Sequence, residues 1–175
     1  MKHPILRLFC LCVVIAIAVC GKSTTTPSST GSSSSGGGSG SNPPTTVPAI
    51  SDADLTFCVS ETNRYRAMLS RAPLTRSSAL EAYATDGARI DQQANQPHQH
   101  FISGNGGGVA LAENEQTIAA NTTVSTQSAM ASMLSLFYSE GPGGGHYQNI
   151  MGGSTQVGCG VYRTADVMTI TEDFR

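Results

Sequence analysis

The chain has 175 residues, 10 basic against 12 acidic side chains, no tryptophan and few aromatic rings. It carries no run of Lys or Arg to attract a phosphate backbone, so nucleic acid is excluded as a partner on charge grounds. The scarcity of rings argues against a surface that stacks bases or sugars.

The N-terminus predicts export. Lys2 and Arg7 form a short basic region, and Leu8–Val19 is an unbroken apolar run of 12 residues. A membrane-spanning helix needs about 20, so the run is too short to span and suits the core of a signal peptide. Ile17-Ala18-Val19-Cys20-Gly21 resembles a bacterial lipobox, with Val19 where a small residue is usual. Lipidation of Cys20 is the favoured reading, which makes the membrane a partner through a lipid anchor. Cleavage after Ala18 by an ordinary signal peptidase, giving a secreted protein, is the alternative. Segment 21–50 is nearly all Ser, Thr, Gly and Pro and cannot bury enough apolar area to offset its ordering entropy; it reads as a disordered tether. Residues 1–20 are thus expected to be a signal peptide, 21–50 a tether and 52–175 the folded domain.

The five cysteines sort by this processing. Cys10 and Cys12 leave with the signal core and Cys20 takes the lipid. Cys58 and Cys159 remain, an even pair in an oxidising compartment, and predict one disulfide.

A first helix is expected after Ser51 or Asp52, with Leu55, Cys58, Thr62, Tyr65 and Leu69 on one face. Ala72-Pro73 ends it. A second opens on the capping-box pattern Ser78-Ala79-Leu80-Glu81, buries Leu80, Tyr83, Ala84, Gly87, Ile90 and Ala94, and stops at Gln96-Pro97. The glycine-rich stretch Ser103–Gly108 reads as a plain loop, because neither a Lys nor a helix start follows it. A third helix covers Ser125–Tyr138, with Met130, Met133, Leu134 and Phe137 inward. Strands are expected at Gln148–Met151, Val157–Arg163 and Val167–Asp173, where Val157, Cys159 and Val161 alternate. Helices followed by strands on short connections predict an antiparallel sheet covered by helices.

His100, Glu113, Glu140 and His146 are individually unremarkable, but they fall within an ordered set of short motifs. Asn63-x-x-Arg66 is followed by Ala72-Pro73-Leu74. Ala112-Glu113-Asn114 stands where Gly-Glu-Asn would be expected, and Phe137-x-x-Glu140 where Trp-x-x-Glu would be. Gly145-His146-Tyr147 precedes Gln148-Asn149-Ile150, and Val157-Gly158-Cys159-Gly160 closes the series. In this order and spacing the folded region resembles a CAP domain, the domain of cysteine-rich secretory proteins, antigen 5 and pathogenesis-related proteins.

The resemblance implies an α+β fold, an α-β-α sandwich with a small antiparallel sheet covered by helices. It also implies that two histidines and two glutamates converge in a cleft: His100, Glu113, Glu140 and His146. His98 is a near neighbour of the family's histidine position, and His100 is preferred for it. Two neutral imidazoles beside carboxylates can hold a divalent ion such as Zn²⁺, here through His100 and His146. The function expected is an extracytoplasmic binding or interaction module. One alternative is a metal-dependent hydrolase with Glu113 or Glu140 as the base; another is a carrier of a small apolar, lipid or sterol-like ligand. A protein partner is a further expectation. No nucleophile is apparent in the sequence, so catalysis is not favoured.

Overall fold

The computed structural model describes residues 50–120 and 123–175. The signal segment, Cys20 and the tether up to residue 49 lie outside them. Five α-helices and a four-stranded sheet follow in the order α1 (Asp52–Met68), β1 (Thr75–Arg76), α2 (Ser78–Ala94), α3 (Gln99–Gly104), β2 (Ala112–Ala119), α4 (Thr126–Ser139), α5 (Gly145–Met151), β3 (Gln156–Arg163) and β4 (Val167–Phe174). One 3₁₀ turn, Asn105–Gly108, joins α3 to the chain leading into β2. No helix among the described residues is long and apolar enough to cross a membrane.

The sheet has the order β1-β3-β4-β2. β3, β4 and β2 are antiparallel, while two-residue β1 runs parallel to β3 at its edge. Because side chains alternate along a strand, the sheet has two distinct faces. Val157 and Cys159 of β3 and Met168, Ile170 and Phe174 of β4 join one apolar core with Cys58 and Tyr65 of α1, Met130, Met133, Leu134 and Phe137 of α4, and Ile150 of α5. The other face is covered by α2. A Cβ on Gly158 would stand 2.4 Å from the backbone nitrogen of Glu81, and one on Gly160 2.1 Å from that of Thr85. Two glycines in one strand therefore let a helix backbone lie directly on the sheet. Helices on both faces make the α-β-α sandwich expected from the sequence.

Local chemistry explains the helix ends. Ser51 accepts from the amide of Asp54, and the Asp54 side chain accepts from Ser51 in return, a capping box for α1. α2 starts one residue earlier than its sequence pattern implied: Ser77 is the cap, and Glu81 pairs with Arg76 instead of closing a box. Ile90 is half-buried and Ala94 exposed, so the buried stripe runs through Leu80, Ala84, Gly87, Ala88 and Asp91.

Two expectations are corrected. Gln148–Met151 is not a strand but the body of α5. Ile150 and Met151 reach the core from this helix, whose first-turn amide, that of His146, is received by the Glu140 carboxylate. Ala112–Ala119, not expected as a strand, is β2, paired along its whole length with β4. Its polar sequence hid it, since Glu113, Asn114 and Glu115 are buried without being apolar.

The disulfide between Cys58 and Cys159 is present and ties α1 to β3. The Asn63-x-x-Arg66 pattern has a structural cause. Asn63 exchanges hydrogen bonds with the backbone of Leu74, at 2.9 and 2.7 Å, fixing the strap that leads into β1. Buried Arg66 donates to the carbonyls of Ala72, Ile150 and Gly152, so one guanidinium fastens α1, that strap and the end of α5.

Candidate functional site

The site forms where β2, α5 and the turns before α3 and α5 meet. Glu113 lies on the α2 face of β2 with its side chain 1% exposed. Its Oε1 is 2.8 Å from Nδ1 of His98. That hydrogen bond, opposed by partial burial, raises the His98 pKa above the ordinary imidazole value. His98 sits in the left-handed region at φ 61°, immediately before α3. Two buried carboxyls hold this turn: Glu115 Oε2 accepts the His98 amide at 3.3 Å, and Asp91 Oδ1 accepts the His100 amide at 2.7 Å.

A second pair faces the first. Glu140, at the end of α4, lies 2.6 Å through Oε1 from Nδ1 of His146 and accepts the His146 amide at Oε2, 3.2 Å. The hydrogen bond to the His146 ring holds the Glu140 carboxyl below its usual range. Phe137, one turn earlier on α4, stacks on the His146 ring with centroids 4.0 Å apart and planes 19° apart. The aromatic wall is thus kept with Phe in the place of Trp.

Two amides join the pairs. Asn114 donates to the carbonyl of His146 at 3.3 Å and to Glu172 at 3.1 Å. Asn149 donates to the carbonyl of Glu113 at 3.0 Å and to Asn114 Oδ1 at 2.9 Å. Strand β2 and helix α5 are therefore locked together, and the rings of His98 and His146 lie 6.4 Å apart with planes at 28°. Each imidazole is held at Nδ1 by a carboxylate, which leaves Nε2 as the nitrogen available to a ligand.

Glu113, Glu140 and His146 thus lie together; His100 Nδ1 lies near Glu113, since a Cβ on Gly87 would stand 3.2 Å from that nitrogen and 3.6 Å from Glu113 Oε2, but neither atom has a hydrogen-bond partner. The His100 ring packs on Tyr83 of α2 with centroids 4.4 Å apart, and its Nδ1 is buried. The histidine hydrogen-bonded to Glu113 is His98. The reason is local: His98 precedes α3 in a left-handed conformation, whereas His100 is inside the first turn and is carried back against α2. Sequence reasoning also missed Asp91 and Glu115. A carboxylate in an expected helix or loop reads as a surface group, and only the fold shows these two to be buried.

Comparison with curated proteins finds no match. Among solved structures, Na-ASP-1 superposes with a TM-score of 0.57 at 16% identity, covering 72% of this chain and 39% of that one. The structure of NaASP2 with Zn²⁺ gives 0.55 at 11% identity, covering 72% of this chain and 80% of that one. Hookworm platelet inhibitor gives 0.50 at 14% identity, covering 75% and 74%. At these identities the likeness is one of fold. The family model of the cysteine-rich secretory proteins matches residues 59–174, from the middle of α1 to the end of β4. With its motifs placed around one cleft on an α-β-α sandwich, the chain belongs to the cysteine-rich secretory protein, or CAP, family.

Proposed function

We propose that this chain is an exported CAP-domain binding module whose cleft holds a divalent cation between His98 and His146. One observation carries the reading: both imidazoles are oriented by a carboxylate at Nδ1 and face each other across 6.4 Å. Histidines that ligate a metal characteristically give their second ring nitrogen to a carboxylate or carbonyl, which fixes the tautomer and raises the basicity of the ligating nitrogen. The donors fit a borderline ion such as Zn²⁺, for which about four ligands at 2.0–2.1 Å from nitrogen are usual; two positions would fall to solvent or a bound partner. The bound ion would supply a positive centre for an anionic or carbonyl group of that partner. The Zn²⁺ of the NaASP2 structure supports the choice of ion by analogy of fold.

The Cys58–Cys159 disulfide supports an oxidising, extracytoplasmic location. Lipidation at Cys20, with the membrane as partner, remains our proposal for how the domain is held there. The direct test is metal analysis of protein purified without chelator, together with thermal unfolding in added Zn²⁺. A ligand specific for the native state raises Tm. Zn²⁺ should raise the Tm of wild type and leave that of His146→Ala unchanged. Equal shifts in the two proteins would overturn the reading. Turnover of an ester or peptide that is lost with chelator and with Glu113→Gln would favour the hydrolase instead.

A further inference from the structure

Helix α2 carries a buried glycine, Gly87, near its centre. Glycine inside a helix is less favourable than alanine, and Gly87 is not among the residues with positive φ, so the backbone does not require it. Its neighbours do. A Cβ on Gly87 would stand 3.2 Å from His100 Nδ1 and 3.6 Å from Glu113 Oε2. Both atoms therefore border one notch on the inner side of α2, about the size of the missing methyl group.

These two atoms share a second property. Both are buried and have no hydrogen-bond partner among the described residues. Glu113 Oε1 is engaged by His98 Nδ1 at 2.8 Å, so the carboxylate is held from one side. The His100 ring is fixed where it stands. Its amide donates to Asp91 Oδ1 at 2.7 Å, and the ring packs on Tyr83 with centroids 4.4 Å apart. A carboxylate oxygen only accepts, and leaving it buried without a donor is costly. A neutral imidazole supplies a donor when its proton is on Nδ1. A methyl-sized space between such a donor and acceptor suits one buried water, which needs at least two polar partners.

We propose that His100, as its Nδ1–H tautomer, donates through one water in the Gly87 notch to Glu113 Oε2, and is thereby a positioning residue for the His98–Glu113 pair. With both oxygens engaged, Glu113 does not turn about its side chain, and Oε1 stays on His98 Nδ1. His98 then keeps Nε2 free for the cleft. His100 ligates nothing itself and acts only through Glu113. The consequence for cation affinity rests on the cleft reading; the tautomer and the placement of Glu113 do not.

Long-range proton–nitrogen NMR of the metal-free protein reads the tautomers, with ring assignments from His98→Ala and His100→Ala. His100 should show a protonated Nδ1. Gly87→Ala, whose methyl takes the space of the water, should shift the His98 ring nitrogens. Zn²⁺ calorimetry reads the consequence, with near-ultraviolet circular dichroism reporting the native fold. Affinity should fall about fivefold in Gly87→Ala and in His100→Ala, less than on loss of a ligand's own partner. His100→Asn, whose side-chain amide donates from the place of Nδ1, should return to within about twofold of wild type. It loses the packing on Tyr83 as the Ala variant does, so its rescue separates donation from packing. The rise in Tm at saturating Zn²⁺ should persist in all three variants, since no ligand is removed. A bare Nδ1 on His100, wild-type affinity in folded Gly87→Ala, or equal losses in His100→Ala and His100→Asn would each overturn the proposal. Absence of Zn²⁺ binding in wild type, with the expected His100 tautomer and a shifted His98 ring in Gly87→Ala, would overturn the cleft reading and uphold the role of His100.

Discussion

The Glu140 side chain occupies the space that a side chain on Gly144 would need: a Cβ there would stand 2.3 Å from the Cβ of Glu140 and 2.4 Å from its Oε2. Gly144 has φ −85°, a conformation open to any residue, so the glycine is required by the carboxylate beside it and not by the backbone. Gly144→Ala should displace Glu140 from the His146 ring. We expect Zn²⁺ affinity to fall about tenfold, or roughly 1.4 kcal/mol, with the His146 ring resonances shifted. Calorimetry with histidine-selective NMR checks this, and unchanged affinity would show that Glu140 does not orient the ring.

The assignment of His98 to the cleft is tested by its neighbour. His98→Ala should abolish the Zn²⁺-dependent rise in Tm, while His100→Ala should keep it and lower the starting Tm through loss of packing on Tyr83. An aromatic contact of this kind is worth up to about 0.5–1.5 kcal/mol, and less here because both rings belong to half-buried residues. The opposite pattern would restore His100 to the cleft.

Glu172 provides a pH dependence separate from the cleft. It is fully buried beside Thr62 and Asn114, and burial pushes its carboxyl up to about 7. The native state therefore holds this proton more tightly than the unfolded chain does. Its contribution is fully present below the unfolded value of 4.5 and is lost as pH rises through about 7. Glu172→Gln should remove this part of the decline and leave the variant more stable than wild type above pH 7, by on the order of 1–3 kcal/mol. The Thr62 hydroxyl can turn to accept from the new amide. Urea unfolding at pH 5 and pH 8 measures the difference; equal stability changes at the two values would refute it.

Reducing the Cys58–Cys159 bridge opens a loop with a sequence separation of 101 residues. The chain-entropy relation gives a loss of up to about 4–5 kcal/mol for a loop of this length. Denaturant unfolding with and without reductant should show a large fall in midpoint, and the double Cys→Ala variant should reproduce it.

Gly160→Ala puts a methyl 2.1 Å from the backbone nitrogen of Thr85 and 2.2 Å from the carbonyl carbon of Ala84. Neither can turn away as a side chain could, so α2 must lift from the sheet. We expect a loss of about 3 kcal/mol or more, at the upper end of overpacking effects. A Tm within a few degrees of wild type would contradict the close approach.

Much of the scaffold was legible in the sequence because local rules act over a few residues. Ser51 and the three- and four-residue spacing through Cys58, Thr62 and Tyr65 mark α1. Met130, Met133, Leu134 and Phe137 mark the buried face of α4, and the alternation of Val157, Cys159 and Val161 marks β3. The motifs around Glu113, Glu140 and His146 named three members of the cleft only through the family resemblance, since nothing local brings these residues together. What the sequence could not decide were the features set by partners far along the chain. Gln148–Met151 continues a helix whose first-turn amide is received by Glu140, just beyond the end of α4, a contact no local pattern announces. Strand β2 is paired along eight residues with β4, although its buried residues are polar. The choice between His98 and His100 follows from a left-handed turn held by Asp91 and Glu115, one carboxyl from α2 and one from β2. Spacing in the sequence places two histidines within reach of the cleft; only the packing of α2 on the sheet selects which one turns to Glu113.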